Sequence, residues 1–168
     1  MEYETILHQI DPVFAPDSRI LILGSLPSRK SREANFFYSH PQNRFWRTLA
    51  AVLGEETPDT VEEKKTMLLR HRIALWDVIA SCEIRGSSDS SIRCAVPNDL
   101  AALISKTQIE KVFTVGTTAT KLYQKLCEAD TKLKTVMLPS TSPANARVTQ
   151  KMLEDAFREA LFGETRES

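Results

Sequence analysis

Arg19-Ile20-Leu21-Ile22-Leu23-Gly24-Ser25-Leu26-Pro27-Ser28 is an apolar run closed by a tight turn. A polar loop follows it, with Phe36-Phe37-Tyr38 and then His40-Pro41-Gln42-Asn43-Arg44-Phe45-Trp46. A continuous apolar run bounded by Asp17-Ser18 and Gly24 fits a strand covered on both faces. The turn after it feeds aromatic, amide and basic side chains into one loop. In an open α/β sheet, ligands bind beyond the carboxyl ends of the strands. The stretch therefore reads as a pocket for a flat polar ligand, and the rest of the chain as its support.

Working outward, residues 1–17 read as an arm with Pro12 and Pro16. Pro41-Gln42-Asn43 opens a helix to about Leu53, with Phe45, Trp46, Leu49 and Val52-Leu53 as its apolar stripe and Gly54 as its stop. Asp59/Thr60 cap a charged helix from Val61 to about His71. Ile73–Val78, Lys111–Gly116 and Leu133–Leu138 supply three more strands. Cys82 to Val96 reads as a polar loop, and Pro97 as the first turn of a short helix over Asn98–Ser105. Thr117/Thr118 start a helix to Cys127, Thr149–Leu161 is a closing amphipathic helix, and Gly163–Ser168 reads as a frayed tail. Strands alternating with helices predict one domain, core about 17–162. Its class is a three-layer α/β/α fold with a central four-stranded parallel sheet. The strand exits carry Gly24-Ser25, Trp76-Asp77, Gly116-Thr117 and Pro139-Ser140, which such a sheet gathers along one edge.

Composition narrows the function classes. The 168 residues are 42% hydrophobic and 26% charged, with 22 basic residues against 22 acidic ones. That balance gives no global signal for nucleic acid or membrane. Locally, residues 29–47 hold Arg29, Lys30, Arg32, Arg44 and Arg47 against Glu33, enough to engage phosphates. The scattered Cys82, Cys94 and Cys127 have no metal-site or disulfide spacing. With no apolar run of membrane length and no leader pattern at the N-terminus, a soluble cytoplasmic protein is expected.

The residues leave several chemistries open. Gly24-Ser25-Leu26-Pro27-Ser28 is neither a P-loop nor a dinucleotide fingerprint. Two of Phe36, Phe37 and Tyr38 read as core anchors and the third as a platform on which a base stacks. Asn43 is either a helix cap or an amide that holds a water or a base edge. His40 is weighed as structural or as a site residue. No serine has an obvious histidine partner, His8 and His71 sit in unpromising places, and Asp77 reads as structural.

Gly24-Ser25-Leu26-Pro27-Ser28 with Tyr38-Ser39-His40-Pro41-Gln42-Asn43-Arg44-Phe45-Trp46 resembles the first motif of the uracil-DNA glycosylase superfamily. Pro139-Ser140-Thr141-Ser142-Pro143-Ala144-Asn145 resembles its second, DNA-inserting motif. With Leu75-Trp76-Asp77-Val78 and Ser87-Ser88-Asp89-Ser90-Ser91-Ile92, the pattern is similar to the hypoxanthine-DNA glycosylase branch, over about residues 17–162. The superfamily's usual water-activating Asn or Asp falls on Leu26, which cannot activate water.

The resemblance implies a monofunctional enzyme of DNA repair. It would flip a deaminated base, most readily hypoxanthine, out of DNA and hydrolyse its N-glycosidic bond with no cofactor and no metal. It implies Asn43 as the catalytic amide. Gly24, Ser25, Leu26, Pro27, Tyr38 and His40 would line the base site. Ser28, Arg44, Ser140, Thr141, Ser142, Asn145 and Arg147 would contact DNA, with Asn145 or Arg147 filling the vacated stack. The partner would be DNA carrying the lesion, bound by a monomer. The alternatives are a preference for uracil, xanthine or mismatched thymine, or a non-catalytic module that binds damaged bases or nucleotides.

Overall fold

A computed structural model describes residues 2–86 and 88–163. Its strands and helices run β1 (Glu4–Leu7), β2 (Ile20–Gly24), α1 (Arg29–Ala34), α2 (Phe45–Leu53), α3 (Val61–Arg70), β3 (Ile73–Asp77) and β4 (Ile79–Ile84). They continue β5 (Arg93–Pro97), α4 (Leu100–Ser105), β6 (Lys111–Val115), α5 (Thr117–Leu126), α6 (Glu128–Thr131), β7 (Thr135–Leu138) and α7 (Gln150–Phe162).

The four expected strands form one parallel sheet in the order β3-β2-β6-β7. Side chains alternate across β2, and both faces are covered. Ile22 packs with Phe45, Trp46, Leu49, Leu153 and Phe157 from α2, its start and α7. Leu21 and Leu23 pack on the other side with Leu100, Leu103 and Tyr123 from α4 and α5. All these apolar side chains are 5% exposed or less, so the continuous run in β2 is buried on both faces as a central strand requires. The helices thus lie on both faces of the sheet, giving the three-layer α/β/α architecture. Thr60 and Glu63 form a reciprocal capping box at the start of α3, where the sequence places a cap.

Several expectations are corrected. The N-terminal arm contains β1, and the supposed loop over Cys82–Val96 is largely β4 and β5 with a 3-10 turn at Asp89–Ser91. Together these strands make a second, antiparallel sheet in the order β1-β4-β5. It buries only one side, around Ile6, Ile79, Cys82 and Ile84, so its strands are half polar and read as loop. Pro97 ends β5 instead of opening a helix; Asp99 caps α4 by accepting from Ala102 N–H. Helix α1 was not anticipated, and α2 begins at Phe45 because residues 40–43 form a turn closed by Asn43 N–H on the His40 carbonyl at 2.9 Å. The tail expected to fray lies outside the described residues beyond Gly163, which caps α7. Among the described residues, no helix is long and apolar enough to cross a membrane.

Candidate active site

The sheet register sets Gly24 level with Asp77, and Val115 level with Leu138. The four strand exits therefore open at one edge. The carbonyls of Gly24 and Ser25 accept the N–H groups of Val78 and Ile79 at 2.8 and 3.1 Å, which pins the turn after β2. The Ser25 hydroxyl has no protein partner among the described residues. Leu26 is turned onto the apolar cluster of the small sheet, while Pro27 is buried and its carbonyl accepts from Arg32. Ser28 caps α1 by accepting from Ser31 N–H.

The aromatic trio separates as its composition suggests. Phe36 and Phe37 are buried, and the Trp46 indole donates to the Phe37 carbonyl at 3.1 Å. Tyr38 is partly exposed and held in the left-handed backbone region at φ 52°. One face of its ring is stacked on Phe45 at 4.0 Å and 13°. Its hydroxyl is enclosed and has no hydrogen-bond partner among the described residues. Burial first, and the Asp77 charge second, push this phenol well above its ordinary value.

That hydroxyl meets Asp77 over Gly24. A Cβ built on Gly24 would lie 2.5 Å from Asp77 Oδ1 and 2.9 Å from the Tyr38 oxygen. Only a glycine leaves room for the two polar atoms to converge on the backbone. Asp77 is 3% exposed; its Oδ2 bonds His8 Nε2 at 2.8 Å, and Oδ1 has no donor among the described residues. Removing the unpartnered hydroxyl relieves a buried polar group, so Tyr38→Phe should raise stability by about 1 kcal/mol or more. Thermal denaturation checks this. The sign with pH follows from the raised phenol. It favours the fold below about pH 10, and that contribution is lost as pH rises toward the folded value. Tyr38→Phe should therefore also flatten the alkaline limb of the stability profile.

Asn43 Oδ1 accepts the Phe45 N–H at 2.9 Å and the Thr141 hydroxyl at 2.8 Å. The backbone donor fixes which end of the amide points where. Its Nδ2 is left without a protein acceptor among the described residues. Arg44 N–H donates to the Thr141 carbonyl at 3.1 Å, and the Arg44 guanidinium donates to the carbonyls of Val148 and Asn145 at 2.6 and 3.0 Å. The two motif-bearing stretches, 98 residues apart, are thus joined at several points. His40 Nδ1 accepts from Gln42 N–H, which shapes the turn before Asn43.

The 139–148 loop is ordered by its own side chains. Ser140 and Ser142 hydroxyls accept from the N–H groups of Ser142 and Ala144, and Asn145 Nδ2 donates to the Ser140 carbonyl at 2.9 Å. Asn145 is thereby tied back, whereas Arg147 is exposed and has no partner among the described residues. Of the basic residues in 29–47, Arg32, Arg44 and Arg47 are held by protein acceptors, and Arg29 and Lys30 stand exposed. Asp89 lies at the tip of the β4–β5 connection, and the Thr118 hydroxyl at the start of α5 acts on its carboxyl. Desolvation pushes the carboxyl up and Thr118 pulls it back.

The sequence places His8 in an unpromising position and reads Asp77 as structural; the structure pairs the two, buried and 2.8 Å apart, once β1 is joined to β4. The exit position of Asp77 was the available clue.

Residues 12–164 match the family model described as "Uracil DNA glycosylase superfamily". The chain is 37% identical over 153 residues to a protein of Methanosarcina acetivorans named hypoxanthine DNA glycosylase, covering 89% of this chain and 94% of that one. A protein of the same name from Methanosarcina barkeri is 31% identical over 137 residues, covering 81% and 86%. A solution NMR structure from Methanosarcina acetivorans, provisionally named a uracil DNA glycosylase, superposes with a TM-score of 0.75 at 32% identity, over 90% of this chain and 96% of that one. A sheet in the order β3-β2-β6-β7 that brings both motifs to one edge, and these likenesses across nearly the whole chain, place it in one family: the chain belongs to the uracil DNA glycosylase superfamily.

Proposed function

We propose that this chain is a DNA repair glycosylase that excises hypoxanthine from deoxyinosine. The observation that carries the reading is the joining of Asn43 to Thr141 next to Phe45, the ring on which Tyr38 of the Gly24–Asp77–Tyr38 niche is stacked. It supports reading Asn43 as the water-holding amide, the niche as the base pocket and the 139–148 loop as the DNA-facing loop. The relatives named hypoxanthine DNA glycosylase support the choice of base.

The enzyme works on a flipped nucleotide. Flipping costs a few kcal/mol and least at a weakened pair, as an inosine pair is. The free face of Tyr38, backed by Phe45, receives the base. The niche then tests the base edge. Asp77 Oδ1 is an acceptor, so it welcomes the N–H of a lactam, the group that deamination creates, and repels the ring nitrogen lone pair that adenine carries at the same position. Ser25 and the N–H groups of the 24–28 turn stabilise the purine as the bond between its N9 and the sugar C1′ breaks and the electron pair passes to the base. Water held by Asn43 Nδ2 adds to C1′ of the oxocarbenium-like sugar, and the proton it gives up is taken up by the departing purine anion. The products are free hypoxanthine and an abasic site. The motif stretches contribute no lysine to attack C1′, so the strand stays uncut. The protein acts as a monomer inside the cell and needs no cofactor.

Arg147 is the exposed cation of the DNA-facing loop, and Arg29 and Lys30 are those of the basic segment. Arg147→Ala should weaken binding to any duplex and lower the slope of log affinity against log salt by about one, as loss of a single phosphate contact does. A salt titration measures it. The activity itself is tested by incubating the protein with a deoxyinosine duplex and identifying the released base by mass. Hypoxanthine and an alkali-labile but uncut strand are expected. Tight binding with no released base would leave a damage-binding module instead.

A further inference from the structure

The N-terminal strand contributes a side chain to this cleft. Pairing of β1 with β4 sets Leu7 opposite Ser81, and His8 N–H continues the ladder onto the Ala80 carbonyl at 2.7 Å. The arm is then stitched to β3, with Val13 and Leu75 bridged and the Trp76 indole on the Ile10 carbonyl at 3.2 Å. The His8 imidazole, 1% exposed, is carried directly behind Asp77. Its hydrogen-bond roles are fixed from both ends. Nδ1 accepts the Ile10 N–H at 3.2 Å, so the ring proton is at Nε2 and is donated to Asp77 Oδ2. The buried carboxylate is thereby gripped by one oxygen. The other lies against Gly24, beside the unpartnered Tyr38 hydroxyl. A carboxylate with only one protein donor can rotate unless that donor holds it, and a base-reading group has to be held to a fraction of an ångström.

We propose that His8 is a positioning residue of the glycosylase, supplied by the N-terminal strand, whose Nε2–H locks Asp77 with Oδ1 turned toward the base. This rests on the reading of the niche as the place where the lactam edge is tested. His8 itself touches neither base nor water; it acts through Asp77, and the N-terminal arm is part of the active-site architecture.

The test compares His8→Gln, whose amide N–H can stand where the imidazole Nε2–H stands, with His8→Phe, which fills the space without a donor. Excision from a deoxyinosine duplex is followed in single turnover with enzyme in excess. His8→Phe should slow base release by about tenfold to a hundredfold, the worth of a hydrogen bond to a charged group. Its affinity for DNA should stay within about twofold, since phosphate contacts carry that affinity. His8→Gln should recover most of the rate. On an Asp77→Asn background, His8→Phe should add no further loss, because the two side chains act as a unit.

Parent-like rates in His8→Phe, or equal losses in both variants that track equal losses in melting temperature, would overturn the proposal. A wild-type protein that releases no base would remove the niche reading and this proposal together. An active wild type with an active His8→Phe removes this proposal alone. Should His8→Phe fail to fold, the imidazole 15N spectrum of the wild-type protein decides. A protonated Nε2 and unprotonated Nδ1 are required, and the opposite tautomer contradicts the assignment.

Discussion

Asn43→Asp is expected to fold like the parent and to lose at least about a hundredfold in deoxyinosine excision, the scale on which misplaced reactants slow a reaction. The two functions of this side chain sit on different atoms. Oδ1 accepts from Phe45 N–H at the start of α2 and from the Thr141 hydroxyl, which joins the two motif loops. Aspartate keeps both acceptors, so its melting temperature should stay near the parent value. What it lacks is the N–H of Nδ2, the group assigned to the water. Asn43→Ala removes both atoms, and so should lose excision and also about 1 kcal/mol or more of stability, as the loss of its two accepted hydrogen bonds implies. A glycosylase assay and a thermal melt on the two variants separate the roles. If Asn43→Asp excises at the parent rate, the amide N–H does not hold the water, and Asn43 is a residue of the fold.

Gly24→Ala is expected to be nearly as damaging to excision and more damaging to the fold. Gly24 has no positive φ that would demand glycine, so the constraint is space. The new methyl would stand 2.5 Å from Asp77 Oδ1 and 2.9 Å from the Tyr38 oxygen. Neither neighbour yields freely. Asp77 is gripped by His8 at 2.8 Å, and Tyr38 is stacked on Phe45, itself fully buried. Overpacking of this kind costs about 1–3 kcal/mol. The strain falls on Asp77 Oδ1, proposed to meet the base edge, and on Tyr38, proposed to stack on the base, so excision should fall about a hundredfold as well. Chemical denaturation and single-turnover kinetics measure the two effects. Parent-like behaviour in both would mean that the niche is open space and has no part in recognition.

What the sequence disclosed follows from burial. The strands β2, β3 and β6 are covered on one or both faces, so they appear as apolar runs with glycine or aspartate at their ends; β7 is an apolar run before Pro139 although Val136 and Met137 are half exposed. The small sheet was hidden for the opposite reason. In β4 only Ile79, Cys82 and Ile84 face the core, and β1 buries Ile6 alone. Three buried side chains in six residues, interrupted by Ala80, Ser81 and Glu83, look like loop. The site divides the same way. Asn43, Tyr38 and the 139–148 loop were visible because their residue types and order are distinctive. The tie between Asn43 and Thr141 is a contact across 98 residues and has no local signature. His8 was invisible because its role depends on the pairing of β1 with β4. Leu26, which stood out as an anomaly at a position expected to activate water, has a structural reason: its side chain joins the apolar cluster that seats the small sheet.

The most direct test of the central claim is a single-turnover assay on a set of otherwise identical duplexes. Each carries one deoxyinosine, deoxyuridine, deoxyxanthosine or mismatched thymidine, or no lesion, and abasic sites are scored after alkali. The account predicts fastest release from deoxyinosine, no release from undamaged adenine, and strands that remain intact until alkali is added. No abasic product from deoxyinosine, or release of adenine at a comparable rate, would contradict it.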